Sequence, residues 1–184
     1  MATKKKRLGG FSNIHVAPLT SAGTYGTPVA IEGAKSVEVS LNYENIQFYA
    51  DNAIDHSEYI FAGGEGTLTV SGLTPQVYSD LFGSTVEGGV VRVKTSDIAP
   101  ELALLFERKK LGTNKVVRYI VYAVKFAPTS ISASTMEGSV SEENFELTFS
   151  VRETAENDVY TFADGTEVTG ANATAYDSWY DAVH

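Results

Sequence analysis

Residues 65–83, EGTLTVSGLTPQVYSDLFG, admit one local reading: a half-buried strand that hands over to a short amphipathic helix. Gly66, Leu68 and Val70 alternate with Glu65, Thr67, Thr69 and Ser71, and a period of two puts one set on a core and the other on water or a partner. Thr74 then stands where a helix N-cap accepts a backbone N–H, and Pro75 is pre-set for the first helical turn. Val77, Tyr78, Leu81 and Phe82 recur at helical spacing, and Gly83 sits where a left-handed C-terminal cap is wanted. The helix, residues 75–82, is about two turns long. Everything else reads as strands, turns and arms, so the expectation is a mainly β chain with one helix.

The strands follow from the same periodicity. Residues 35–42 (KSVEVSLN) place Val37, Val39 and Leu41 on one face and Ser36, Glu38, Ser40 and Asn42 on the other. Residues 46–50 (IQFYA) are a second extended run, and 51–64 are a polar loop with an aromatic return at 59–61. Together they predict a projecting hairpin over 44–64, whose Phe48, Tyr49, Tyr59, Ile60 and Phe61 exceed what a bare hairpin buries; a partner surface is the natural remedy. Residues 90–94 form a short strand, and 102–108 (LALLFER) with 116–126 (VVRYIVYAVKF) form a strand–turn–strand pair, the second the most β-branched run and therefore central. Pro128 ends it, and residues 130–141, rich in Ser and Thr, read as a loop. Residues 144–152 alternate strictly, with Phe145, Leu147, Phe149 and Val151 inward. A weak hairpin, 159–162 with 166–168, turns through Asp164–Gly165.

About eight strands and one helix predict an antiparallel sandwich or half-barrel with the helix at one end. The domain spans 34–168, with an extended N-terminal arm over 1–33 and a C-terminal arm over 169–184. Three strands, 35–42, 65–71 and 144–152, share outward faces of short Ser, Thr, Asn and Glu. An ordinary solvated sheet can look like this; so can one that lines a water-filled bore.

The 184 residues suit one domain, and apolar residues at 43%, with ten Tyr and nine Phe, are ample for a core. Cysteine is absent, which excludes disulfides and thiolate metal sites. No apolar run reaches membrane-spanning length and the start, MATKKKRLGG, has no apolar h-region, so the chain is expected to be made in a cytosol and to leave it only within an assembly. The net charge of −9 is uneven: residues 1–31 hold four bases and no acid, 32–152 sixteen acids and ten bases, and 153–184 seven acids and no base. An acidic body argues against tight nucleic-acid binding, which requires phosphate neutralisation, but suits a surface that nucleic acid must pass without sticking. Lys4, Lys5, Lys6 and Arg7 beside Gly9–Gly10 read as a solvated tail rather than a nucleic-acid arm.

No catalytic constellation emerges. His15, His56 and His184 fall in an arm, a loop and the last position, with no metal-ligand spacing. Glu142 and Glu143 are adjacent on the chain and point to opposite faces, so they do not converge as an acid–base pair. Asp51, Asn52 and Asp55 lack the glycine and bidentate glutamate of a calcium loop. Gly63–Gly64–Glu65–Gly66 runs into a strand, offering no helix N-terminus to a phosphate. Asn172–Ala173–Thr174 matches a glycosylation triplet that has meaning only on secretion. The expectation is a non-enzyme with no cofactor, no metal and no small-molecule substrate.

The order of features resembles the major tail proteins, or tail tube proteins, of long non-contractile-tailed bacteriophages. Six stretches carry the resemblance in order: 14–34 (IHVAPLTSAGTYGTPVAIEGA), 48–52 (FYADN), 63–73 (GGEGTLTVSGL), 100–108 (PELALLFER), 118–128 (RYIVYAVKFAP) and 179–183 (WYDAV). The resemblance implies a β-sandwich protomer with a flanking helix, assembled as hexameric rings stacked into a tube through which DNA passes without specific binding. It implies a tape measure protein, tail tip proteins and a tail terminator as partners, no membrane, and a place in the virion tail after assembly in the host cytoplasm. On that reading Glu38, Ser40, Asn42, Glu65, Thr67, Thr69, Glu146, Thr148 and Ser150 face the lumen, with Arg152 at a rim or paired with an acid. Phe48, Tyr49, Asp51, Asp55, Tyr59, Phe61, Ile14, Val16, Trp179 and Tyr180 make ring-to-ring and neighbour contacts. Similar tubes occur in contractile tails and type VI secretion, and a monomeric β-sandwich binding module is the other alternative; the latter would need a planar row of exposed aromatics.

Overall fold

The computed structural model of the chain describes residues 7–21, 23–50, 53–128 and 144–184. Expectations that rest on Lys4, Lys5, Lys6, Asp51, Asn52, Glu142, Glu143 and the 130–141 loop lie outside these residues.

The most apolar run becomes the centre of the sheet. Strand β9 (Val116–Phe126) pairs along one edge with β8 (Leu102–Lys110). Its other edge takes two partners, β11 (Tyr160–Asp164) beside its first half and β10 (Phe145–Val151) beside its end. The change of partner coincides with a bulge. Between the pairs Leu102↔Val124 and Leu104↔Val121, β9 supplies one residue more than β8, and Ala123 there takes a φ of 46°. The extra residue shifts the alternation by one, so Val121 before the bulge and Val124 and Phe126 after it all reach the same core. Ile120 and Tyr122 point to the opposite side of the sheet. Both faces are apolar here, which is why the run reads as continuous rather than alternating.

From this centre the sheet runs antiparallel in the order β2 (Thr24–Tyr25), β1 (Leu8–Ser21), β8, β9, β10, β5 (Ala53–Val70), β4 (Ala34–Ala50), with β3 (Val29–Ala30) added to β1. It curls around one core that joins Ile14 and Val16 of β1 to Leu68 and Val70 of β5 and to Leu147 and Phe149 of β10. Helix α1 (Pro75–Phe82) inserts Val77, Leu81 and Phe82 into that core. Its ends form as the residues dictate: Thr74 Oγ1 accepts the Val77 N–H at 3.3 Å, and Gly83, at φ 73°, donates its N–H to the Ser79 carbonyl. The result is a mainly antiparallel β half-barrel, with a small separate pair, β6 (Thr85–Glu87) and β7 (Val90–Arg92), after the helix.

Five expectations change. The segment 11–20, read as an extended arm, is part of β1 and pairs with β8 from Leu8↔Lys110 to Pro18↔Leu102, because its alternating Ile14 and Val16 complete the core. The loop read over 51–64 is strand from Ala53 onward; β4 and β5 form one long hairpin paired from Ala34↔Val70 to Ala50↔Ala53. The hairpin expected at 159–168 does not form, because Tyr160–Asp164 adds to the open edge of β9 instead, a more apolar partner than Thr166–Val168. A second helix, α2 (Ala171–Asp177), lies in the stretch read as an arm. Phe145, expected inward, is 44% exposed at the start of β10.

Candidate functional site: a polar sheet face and an apolar hairpin

The three polar strand faces singled out in the sequence come together. Strands β10, β5 and β4 are neighbours, and their register aligns Glu146–Thr69–Ser36, Thr148–Thr67–Glu38 and Ser150–Glu65–Ser40 in successive rows. Leu147, Phe149, Leu68 and Val70 of the same strands point into the core, so these rows share the opposite face. A shallow groove of about 710 Å³ runs over the second and third of these rows. Glu38, Glu65 and Glu146 give the face its negative charge.

One cation on this surface escaped the sequence reading. Lys125 of β9 pairs with Ser150 and lines the same groove. Unbroken alternation from Val121 would have turned Lys125 into the core; only the bulge at Ala123 turns it out. Asn42 leaves the rows, because the register shifts between Leu41↔Gly64 and Tyr43↔Phe61. Arg152 forms an ion pair with Glu101, so its charge is met.

On the other half of that same side, the C-terminal segment covers the sheet. Trp179 is 3% exposed and packs with Ala17, Ala103, Leu105, Ile120 and Tyr122. Polar contacts hold it there. The Arg118 guanidinium lies 4.2 Å from the Tyr176 ring centre and 5.2 Å from that of Tyr180, and donates to the Tyr176 carbonyl. Glu107 accepts from the Tyr180 hydroxyl at 3.2 Å and lies 3.5 Å from Arg118 Nε. Burial and then the Glu107 charge push the Tyr180 hydroxyl well above the ordinary tyrosine range. The Tyr122 hydroxyl donates to the His184 carbonyl at 2.5 Å. Nearby, the buried Lys110 ammonium binds both carboxylate oxygens of Asp164, at 2.6 and 2.9 Å. Burial raises the Asp164 pKa, but hydrogen bonds from Lys110 and Thr166 outweigh it and hold the carboxyl at about 2.

Residues expected at subunit contacts therefore divide. Ile14, Val16 and Trp179 are buried within the chain, and Tyr180 is held by Arg118 and Glu107. The hairpin residues are exposed: Phe48, Tyr49 and Tyr59 by 60, 68 and 69%. Phe61 is half-buried against Tyr43, at 5.6 Å between rings, and Asp55 is exposed. Asp51 lies outside the described residues. The histidines stay apart: His15 lies against Tyr180 at 4.6 Å, His56 lies beside Glu58, and His184 lies beside Ser178. Among the described residues no three His, Asp or Glu side chains are grouped as a metal ion would need, and no helix is long and apolar enough to cross a membrane.

No family model matches the sequence. No curated protein matches it either. Among solved structures, the chain is similar to the cap that terminates the tube of the anti-feeding prophage. The TM-score is 0.46 and the identity 10%, over 89% of this chain and 99% of that one.

Proposed function

We propose that this chain is the structural subunit of a hollow tube, the major tail protein of a long non-contractile-tailed phage, and that hexameric rings of it stack into a conduit for DNA. The observation that carries the reading is the alignment of three strands' short polar side chains and three glutamates into one continuous face of a curled sheet. Joined edge to edge around a ring, such faces line a bore that is wet, smooth and negative, which repels a phosphate backbone and lets it slide. Ring closure also covers open sheet edges such as that of β4. The exposed hairpin supplies the stacking contact, and a tape measure protein, a tail tip and a terminator set where the tube starts and stops. The residues the sequence placed on the lumen, Asn42 excepted, are the ones this reading retains there.

The test is negative-stain microscopy with sedimentation across a concentration series, repeated with tail-tip components added. Rings or hollow tubes are expected. A protein that stays monomeric in both settings overturns the proposal.

A further inference from the structure

The half-barrel is not closed. Between β1 and β4 lies a cleft of about 570 Å³, walled by Phe11, Phe106, Tyr119, Val39 and Tyr160, with Lys35 and Arg108 among its lining residues. Its walls are apolar side chains that the core leaves partly uncovered, including Val37, Val39 and Leu41 on the inward face of β4. We propose that this cleft is the receptor for the β4–β5 hairpin of a second copy of this chain. The inference rests on the tube reading and names the surface that the stacking hairpin meets.

Two observations select that occupant. The first is the division of the hairpin's faces. Beyond Leu41 the alternation of β4 continues unbroken, so the face that carries Val37, Val39 and Leu41 carries Tyr43 and Tyr49 further out, joined across the ladder by Phe61 and Tyr59. The Tyr49 hydroxyl donates to Gln47 at 2.9 Å and Ser57 donates to Asn45 at 2.8 Å, as side chains of one face should. From Tyr43 to Gln47 and from Ser57 to Phe61 this face bears rings, amides and a hydroxyl; Asp55 stands in the bulge near the tip. The opposite face interleaves Glu44, Glu58 and His56 with Ile46, Phe48 and Ile60 and lies beyond the polar rows of Glu38 and Ser40, so the two faces differ in charge rather than in apolar content. An aromatic face directed to the core side of the sheet, with no core beneath it, suits an apolar cleft that lacks cover.

The second observation is charge. Residues 43–60 contain acids and no Lys or Arg, whereas Lys35 and Arg108 are the charged residues that line the cleft. With the rings seated, Glu44 and Glu58 come to the rim where those cations lie. Lys35 already donates to Asn144 at 2.6 Å, which holds it on that side of β4. Charge at a rim chiefly sets orientation and rate of encounter rather than raw affinity. Hairpin into cleft is a heterologous contact, which generates rings or open stacks rather than a closed pair.

The cysteine-free chain makes a direct test available. Tyr59→Cys marks the hairpin and Tyr160→Cys marks the cleft, both at exposed positions, so neither variant opens the core. Under oxidation a mixture of the two full-length variants is expected to yield the Tyr59–Tyr160 disulfide in preference to either self-pair, since that bond forms only where the Cβ atoms approach within about 4.5 Å. The doubly substituted chain should form ladders of linked oligomers. Arg108→Glu should weaken association about fivefold, and Glu58→Arg in the same chain should restore it. Assemblies visible by microscopy that never form the mixed disulfide overturn the inference and leave the tube reading standing. Tyr59 self-links alone would assign the hairpin to another hairpin, with the same consequence. Absence of both assembly and disulfide at every concentration counts against both.

Discussion

Phe149 of β10 lies directly over Gly66 of β5: a Cβ built on Gly66 would stand 2.3 Å from Phe149 Cζ and 2.4 Å from the Glu38 carbonyl oxygen. The core side of the three strands that carry the polar face is thus packed ring against backbone, and Gly66 is there because no side chain fits. Gly66→Ala is expected to destabilise the fold by about 1–3 kcal/mol through overpacking. Phe149→Leu added to that variant should cost less than it does alone, because it gives the new methyl room; the Glu38 carbonyl still limits the recovery. Urea denaturation of the four proteins of the cycle checks this, and strictly additive costs would show that the ring is not what excludes the methyl.

The Lys110–Asp164 pair gives a pH dependence whose direction is set by its shift. Folded Asp164 releases its proton at about 2, below its ordinary 3.8, so the folded state binds fewer protons than the unfolded state between those values. The resulting stabilisation, ~2 kcal/mol, is fully present above about pH 4 and disappears as pH falls through about 2. Lys110→Met should therefore cost most at neutral pH and progressively less on acidification. A cost that stays constant from pH 7 to pH 2 would assign it to packing of the lysine stem instead.

Much of this was legible in the residues, and the losses have identifiable causes. Helix α1 was readable to the residue, since Thr74, Pro75, a two-turn apolar stripe and Gly83 all agree. Strand β9 was readable because β-branched and aromatic residues fill it. Helix α2 was not: it spans seven residues, has no side-chain cap at Gly170, and buries only Tyr176, so tertiary packing rather than local signal makes it. Ile14 and Val16 alternate as a core strand does, yet Gly23, Gly26 and Pro28 just beyond them made the segment resemble an arm. The polar face was legible from period two alone, except for Lys125, where a one-residue bulge reversed the phase. Charge pairs such as Lys110–Asp164 bring together distant parts of the chain and leave no local trace.

Trp179 is the chain's one tryptophan, and it is the residue of the C-terminal segment buried against the sheet, so its emission reports whether that segment stays docked. Burial raises the pKa values of Tyr25, Tyr122, Tyr176 and Tyr180, all of them at this contact or beside it. A tyrosine raised on folding holds its proton more tightly in the folded state. Its contribution is therefore fully present below about pH 10 and lost as pH climbs through the folded values. Above pH 10 the segment should detach before the sheet unfolds, with a red shift of Trp179 emission that precedes loss of the far-ultraviolet β signal. Tyr180→Phe, which removes the most strongly shifted group, should move that onset to higher pH. Simultaneous loss of both signals would mean that the segment is not a separable unit.

The polar face makes the sharpest demand on the proposed conduit. Glu38, Glu65 and Glu146 are exposed, and the substitutions Glu38→Lys, Glu65→Lys and Glu146→Lys leave the core residues beneath them untouched. The triple variant should lose at most about 0.5 kcal/mol per site, as surface changes usually do, and should still assemble. With Lys125 already present, the face would then carry four cations where it had three anions and one cation. A DNA backbone sliding past would meet attraction at every ring, and release should slow, most at low ionic strength where screening reaches furthest. Lys125→Glu, the opposite change, should leave passage unhindered. The measurement is the rate of DNA release from particles carrying tubes of each variant, at two salt concentrations. Normal release through triple-lysine tubes at low salt would remove these glutamates from the bore and require the other face of the half-barrel, or the hairpin, to line it.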